Sequence, residues 1–254
     1  MLVSYSYLSP SAVRIEGRYF PGNARSPVCV SEIFIPKKIL KTAEVILLPV
    51  LLLGGTSFCE KSLQPRTTLP VLSIFSAVAT MGRIGILNTP VKELDSVLEV
   101  VKQMGCRLSL EGKHLEVWQK ERPKAVSLVQ TQVYPGFPTD LQSVLMTTLS
   151  VSDGESQIEE NIFSNRFKIA GELVRMGAEI KIEGRRARIK GKEKLYAMSL
   201  LAEDLRGGAA LVLAGICAQG NSLIGNCHYI ERGYEDICRD YRMLGATIEK
   251  IGRI

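Results

Sequence analysis

Three stretches of this 254-residue sequence put acids or arginines where helices should begin, a place from which side chains can act on a small anion. In YPGFPTDLQ, Tyr134 to Gln142, two prolines impose an irregular approach before Thr139 and Asp140 open a helix. In AEDLRGGAALVLAG, Ala202 to Gly215, Asp204 opens another and is followed by Arg206 and the bare pair Gly207-Gly208. HYIERGYED, His228 to Asp236, sets Arg232 beside Gly233 at a third helix start. A carboxylate so placed can take a proton from a hydroxyl, while helix N–H groups and a guanidinium hold phosphate or carboxylate. The expected chemistry is acid–base work on a phosphorylated substrate, with no metal and no organic cofactor demanded. The plain alternatives are a helix cap for each aspartate and a solvated side chain for each arginine.

Composition narrows the classes. The formal charge is +6, from 32 Lys plus Arg against 26 Asp plus Glu. These basic residues are spread along the chain without aromatic interleaving, which argues against nucleic acid as a partner. Six cysteines without a CxxC pair and only two histidines make a zinc site improbable. Cys106 and Cys217 are expected to be buried fillers. The run VILLPVLLL, Val45 to Leu53, contains Pro49 and is too short for a membrane span, which needs about 20 residues. Met1 to Pro10 lacks the basic and apolar regions of a signal peptide, so a cytoplasmic protein with reduced thiols is expected.

The elements that must position these residues are written three times. Each unit reads as an apolar helix, a turn, a short strand ending in an asparagine (Asn88, Asn161, Asn226), a second helix ending in a glycine, then a hairpin. The helix-ending glycines Gly105, Gly177 and Gly245 recur at intervals of roughly 70 residues. Leu94, Val97, Leu98, Val101 and Met104 lie at helical spacing, so that helix buries one face. The first two hairpins turn at Glu-Gly, and in the second Ile180, Ile182, Ala187 and Ile189 alternate. The third copy stops after one arm. Three such units cannot each bury their own faces, so they must share a core, with helices inside and sheets outside or the reverse. The expectation is an α/β domain over residues 71–254 with internal threefold pseudosymmetry. Residues 1–70 do not follow the pattern, apart from a strand at Val13 to Gly17.

YPGFPTDLQ, IEENIFSNRF (Ile158 to Phe167), AEDLRGGAALVLAG and HYIERGYEDICRDYRMLGA, in that order, resemble the UDP-N-acetylglucosamine 1-carboxyvinyltransferases, with weaker similarity back to Met81. The resemblance implies an enolpyruvyl transferase-like inside-out α/β barrel domain and transfer of an enolpyruvyl group from phosphoenolpyruvate to the 3′-hydroxyl of UDP-N-acetylglucosamine in peptidoglycan synthesis. It also implies roles: Asp140 as base or sugar-binding carboxylate, Asp204 as a second carboxylate, and Arg232 and Arg206 holding phosphoenolpyruvate. Ile162 and Phe163 would contact the sugar nucleotide, with Arg166 beside them. The family's N-terminal Lys-Asn pair is absent, because no lysine precedes an asparagine here, and its loop cysteine has no counterpart, since Cys29 and Cys59 lie in unsuitable contexts. This implies that residues 18–70 replace most of a second domain, that Val13 to Gly17 completes the first, and that activity alone is weak or absent. A separate chain would then supply the missing domain. The alternatives are a non-catalytic nucleotide-sugar-binding or regulatory module and, from the same fold, a shikimate-pathway enolpyruvyl transferase.

Overall fold

The computed structural model describes residues 12–17 and 65–251. The expectations for residues 18–64, including the apolar run and Cys29 and Cys59, lie outside them.

Three helices form the centre: α1 (Pro65–Ala79), α3 (Gln142–Ser150) and α5 (Leu205–Cys217). All nine residues of α3 are buried, as are Gly208 through Gly215 of α5, the pattern of a helix with no solvent face. Its hydroxyls survive in the core by bonding back within the helix. Thr148 Oγ1 donates to the Val144 carbonyl at 3.0 Å and Ser150 Oγ to that of Met146 at 2.8 Å. Outer helices α2 (Asp95–Gln103) and α4 (Ile169–Arg175) bury one face each, α2 through Val97, Leu98, Val100 and Val101.

Three sheets flank this core. The first holds β2 (Arg83–Ile86), β3 (Arg107–Glu111) and β4 (His114–Trp118) in the order β2-β4-β3. The second holds β5 (Val129–Gln130), β6 (Glu155–Glu159), β7 (Glu179–Glu183) and β8 (Arg186–Lys190), ordered β5-β6-β8-β7. In the third, β1 (Ala12–Gly17) lies antiparallel between β11 (Ala218–Gly225) and β12 (Thr247–Ile251), with β9 (Leu195–Tyr196) and β10 (Ser199–Leu201) parallel to β11. The orders β2-β4-β3, β6-β8-β7 and β11-β1-β12 correspond, so β1 occupies in the third sheet the place that the second hairpin arm holds in the other two. Ile15 anchors it: fully buried, it packs where a Cβ on Gly215 of α5 would come within 2.9 Å. The molecule is an inside-out α/β barrel of three helix–strand–helix–hairpin repeats.

The punctuation follows the sequence. Gly105, Gly177 and Gly245 end their helices at φ of 88°, 96° and 92°, the left-handed conformation that glycine adopts without strain. Some details differ. The central helix α1 begins at Pro65, upstream of the expected boundary at 71. Ile182 is half exposed, because β7 is an edge strand at the rim of its sheet; Ala187 and Ile189 of that hairpin are buried in the core and Ile180 packs against it. In the third repeat the outer helix is broken into α6 (His228–Glu231) and α7 (Ile237–Met243).

Candidate functional site

The site lies at the heads of α3 and α5. Asp140 is not a cap. It sits within a single 3₁₀ turn, Thr139–Leu141, entered through Pro138 and the cis Tyr134–Pro135 bond, and leads straight into α3. With no helical N–H to serve, its carboxylate faces two cations: Oδ1 accepts from Arg166 Nη2 at 2.8 Å and lies 2.6 Å from Arg206 Nε. The Asp140 side chain is 11% exposed, against 20% for Arg166 and 38% for Arg206, so the charges are partly desolvated but open on the arginine side. Arg166 also lies over the Phe163 ring, 5.1 Å from its centroid, and Phe163 itself is half exposed.

Asp204 does cap. Its Oδ1 accepts the Gly207 N–H at 2.7 Å, fixing the first turn of α5 and hence the position of Arg206. Its carboxylate is thereby engaged in holding the helix. Arg232 does not begin a helix, as the sequence suggested; it closes α6, and Asp236 caps α7 by accepting the Arg239 N–H at 2.8 Å. The reason is local: the Gly233 turn separates the two helices, and an aspartate restarts the second. The Arg232 turn nevertheless packs on the head of α5. A Cβ at Gly208 would come within 2.5 Å of Ile230 Cγ1, and one at Gly233 within 2.7 Å of Leu205 Cδ2. Arg232 is exposed and makes no ion pair among the described residues.

Ile162 and Phe163 follow β6, and both backbone N–H groups donate to Glu160 Oε1, at 3.0 and 3.1 Å. Glu160 is 1% exposed, and its Oε2 accepts the Thr139 hydroxyl at 2.8 Å. Sequence reasoning did not single it out, although a signal was present. Ser156 and Ile158 share the inward face of β6, and Glu160, the first residue past the strand, continues that alternation, so an acid there is buried.

Burial pushes the thiols of Cys106 and Cys217 up, to about 11 and about 12, so neither is an activated nucleophile. Among the described residues no cluster of His, Cys, Asp or Glu could hold a metal ion, and no helix is long and apolar enough to cross a membrane.

A threefold inside-out barrel whose helix heads gather arginines around an aspartate is the architecture of an enolpyruvyl transferase domain. The family model described as EPSP synthase (3-phosphoshikimate 1-carboxyvinyltransferase) matches residues 71–240. The UDP-N-acetylglucosamine 1-carboxyvinyltransferase of Desulfofundulus thermocisternus is 44% identical over 173 residues, covering 68% of this chain and 71% of the relative. UDP-N-acetylglucosamine 1-carboxyvinyltransferase 2 of Caldanaerobacter subterraneus subsp. tengcongensis is 37% identical over 214 residues, covering 84% of this chain and 48% of the relative. Among solved structures, the enolpyruvyl transferase NikO from Streptomyces tendae shares the fold at a TM-score of 0.65 and 23% identity, over 72% of this chain and 44% of that one. EPSP synthase from Acinetobacter baumannii does so at 0.57 and 16%, over 73% and 47%. This chain belongs to the UDP-N-acetylglucosamine 1-carboxyvinyltransferase family of enolpyruvyl transferases. It spans about half the length of most of the curated relatives it matches.

Proposed function

We propose that this chain provides one wall of an enolpyruvyl transferase cleft, which holds UDP-N-acetylglucosamine for transfer of the enolpyruvyl group of phosphoenolpyruvate to its 3′-hydroxyl. The observation that carries the reading is Asp140 between Arg166 and Arg206, which draws residues of three of the four motifs to one point. In this reading Asp140 accepts a hydrogen bond or proton from the sugar hydroxyl, and Arg206 and Arg232 hold the phosphate and carboxylate of phosphoenolpyruvate. Asp204 holds the helix head that carries Arg206, while Ile162, Phe163 and Arg166 border the sugar nucleotide. The reaction belongs to peptidoglycan synthesis in the cytoplasm.

Turnover by this chain alone is weak or absent, because a single wall cannot supply the orientation that is worth about 7–11 kcal/mol in organised sites. A separate chain carrying the opposite wall would restore it. A coupled phosphate-release assay with both substrates tests this, and rapid turnover by the purified chain contradicts the inactivity. The second reading, a nucleotide-sugar-binding module without catalysis, is favoured by Asp204, whose carboxylate is engaged by the Gly207 N–H at 2.7 Å. Binding that persists when any complementing chain is present, with turnover still absent, selects it. A shikimate-pathway role is disfavoured by the names of the relatives at 37–44% identity.

A further inference from the structure

Glu160 is an acid with almost no contact with water, yet every bond its side chain makes serves residues of the site. Buried carboxylates persist where donors fill their oxygens. Here the donors come from two separate segments. Oε1 takes the N–H groups of Ile162 and Phe163, and Oε2 takes the hydroxyl of Thr139, the neighbour of Asp140. The backbone around Glu160 is fixed independently. Its N–H donates to the Arg185 carbonyl at 2.8 Å, the Asn161 N–H to Thr131 Oγ1 at 2.9 Å, and Arg185 Nη1 to the Asn161 carbonyl at 3.0 Å.

We propose that Glu160 is the positioning residue that locks the 161–166 segment to the Asp140 turn, and so sets the affinity for the nucleotide sugar. This rests on the function proposed above. Because the Ile162 and Phe163 N–H groups are spent on Glu160, the segment meets a ligand through its side chains and through the place where it is held. Arg166, at the far end of that segment, reaches Asp140 at 2.8 Å only while both segments keep their relative position. A glutamine can reproduce all three bonds: its oxygen accepts the two N–H groups and its NH₂ donates to the Thr139 oxygen, the hydroxyl turning away. An alanine makes none.

The test uses the full chain as wild type, E160A, E160Q and T139V. Two quantities are measured: affinity for UDP-N-acetylglucosamine by calorimetry, and hydrogen exchange of the Ile162 and Phe163 amides. E160A is expected to lose protection at both amides and about tenfold in affinity, while E160Q stays within about threefold of wild type. T139V, which cuts only the bridge, is expected to keep the amide protection and lose affinity; it also serves if E160A does not fold. Unchanged affinity in E160A or T139V, or an E160Q as weak as E160A, overturns the positioning role while leaving the functional reading intact. A wild-type chain that binds no UDP-N-acetylglucosamine overturns the reading itself, and the inference with it.

Discussion

Arg206 Nε lies 2.6 Å from Asp140 Oδ1, an ion pair that ties the helix heads of the second and third repeats together. With Arg166 on the same oxygen, one carboxylate balances two guanidiniums. Removing it leaves two cations facing each other in a partly desolvated setting. Asp140→Asn is expected to cost about 1–2 kcal/mol, a value discounted from the fully buried case because Arg206 is partly exposed. Arg206→Ala, which leaves Arg166 in place, is expected to cost less than about 1 kcal/mol. Urea unfolding midpoints at constant slope measure both.

Gly207 and Gly208 are neighbours with opposite expectations. A methyl on Gly207 meets only the Asp204 carboxylate at ordinary contact distance, whereas on Gly208 it would meet Ile230 Cγ1 at 2.5 Å and Ala202 Cβ at 3.1 Å. Gly208→Ala is expected to destabilise by about 1–3 kcal/mol by overpacking α5 against α6. Gly207→Ala is expected to be neutral or to stabilise by up to about 1 kcal/mol through helix propensity. If a ligand approaches the bare backbone there, Gly207→Ala lowers affinity without lowering Tm, which thermal melts and calorimetry together resolve.

Ile15 is the buried anchor of β1 described above. Ile15→Ala is expected to cost about 2–5 kcal/mol, as for other large-to-small core changes, and to loosen the third sheet first. Hydrogen exchange should then accelerate in β11 and β12 while β2, β4, β6 and β8 stay protected. Uniform acceleration across all three sheets would contradict this.

Asp240 gives a pH signature. Desolvation raises its carboxyl above the ordinary value of 3.8, and the half-exposed Arg239, with Nε at 3.3 Å, only partly offsets this. A raised carboxyl favours the folded state when protonated, so its contribution is fully present below pH 3.8 and is lost as pH rises through the folded-state value. Asp240→Asn is therefore expected to raise the melting temperature at pH 7 and to leave it unchanged at pH 3. Melting curves at both pH values check the sign.

Much of this architecture was legible because it was repeated. Helical spacing at Val97, Leu98 and Val101, glycine at each outer-helix end and Glu-Gly at two hairpin turns gave three units and a shared core. Which layer lay inside could not be read from one repeat; it follows from α3 and the Gly208–Gly215 stretch of α5 being buried on every side, although α3 carries Gln, Ser and Thr that a sequence reading places at a surface. The break of the third outer helix escaped detection because its apolar spacing continues across Gly233 while the cap at Asp236 restarts it. At the site, residue types pointed to Asp140 and Arg206, and the family resemblance to Arg166, but not to their pairing, which depends on how two repeats meet. Asp140 and Asp204 read alike in sequence and differ in structure, since Asp204 meets a free helix N–H and Asp140 does not. Glu160 was hidden because its importance lies in bonds to backbone N–H groups and to a threonine distant in sequence.

Calorimetric titration of the whole chain with UDP-N-acetylglucosamine, repeated on Asp140→Ala, is the most direct measurement of whether the paired helix heads form a sugar-nucleotide wall. The account expects saturable binding by the wild-type chain and its loss in the variant, with the variant's fold intact by circular dichroism. Equal binding by both proteins, or none by the wild type, would contradict it.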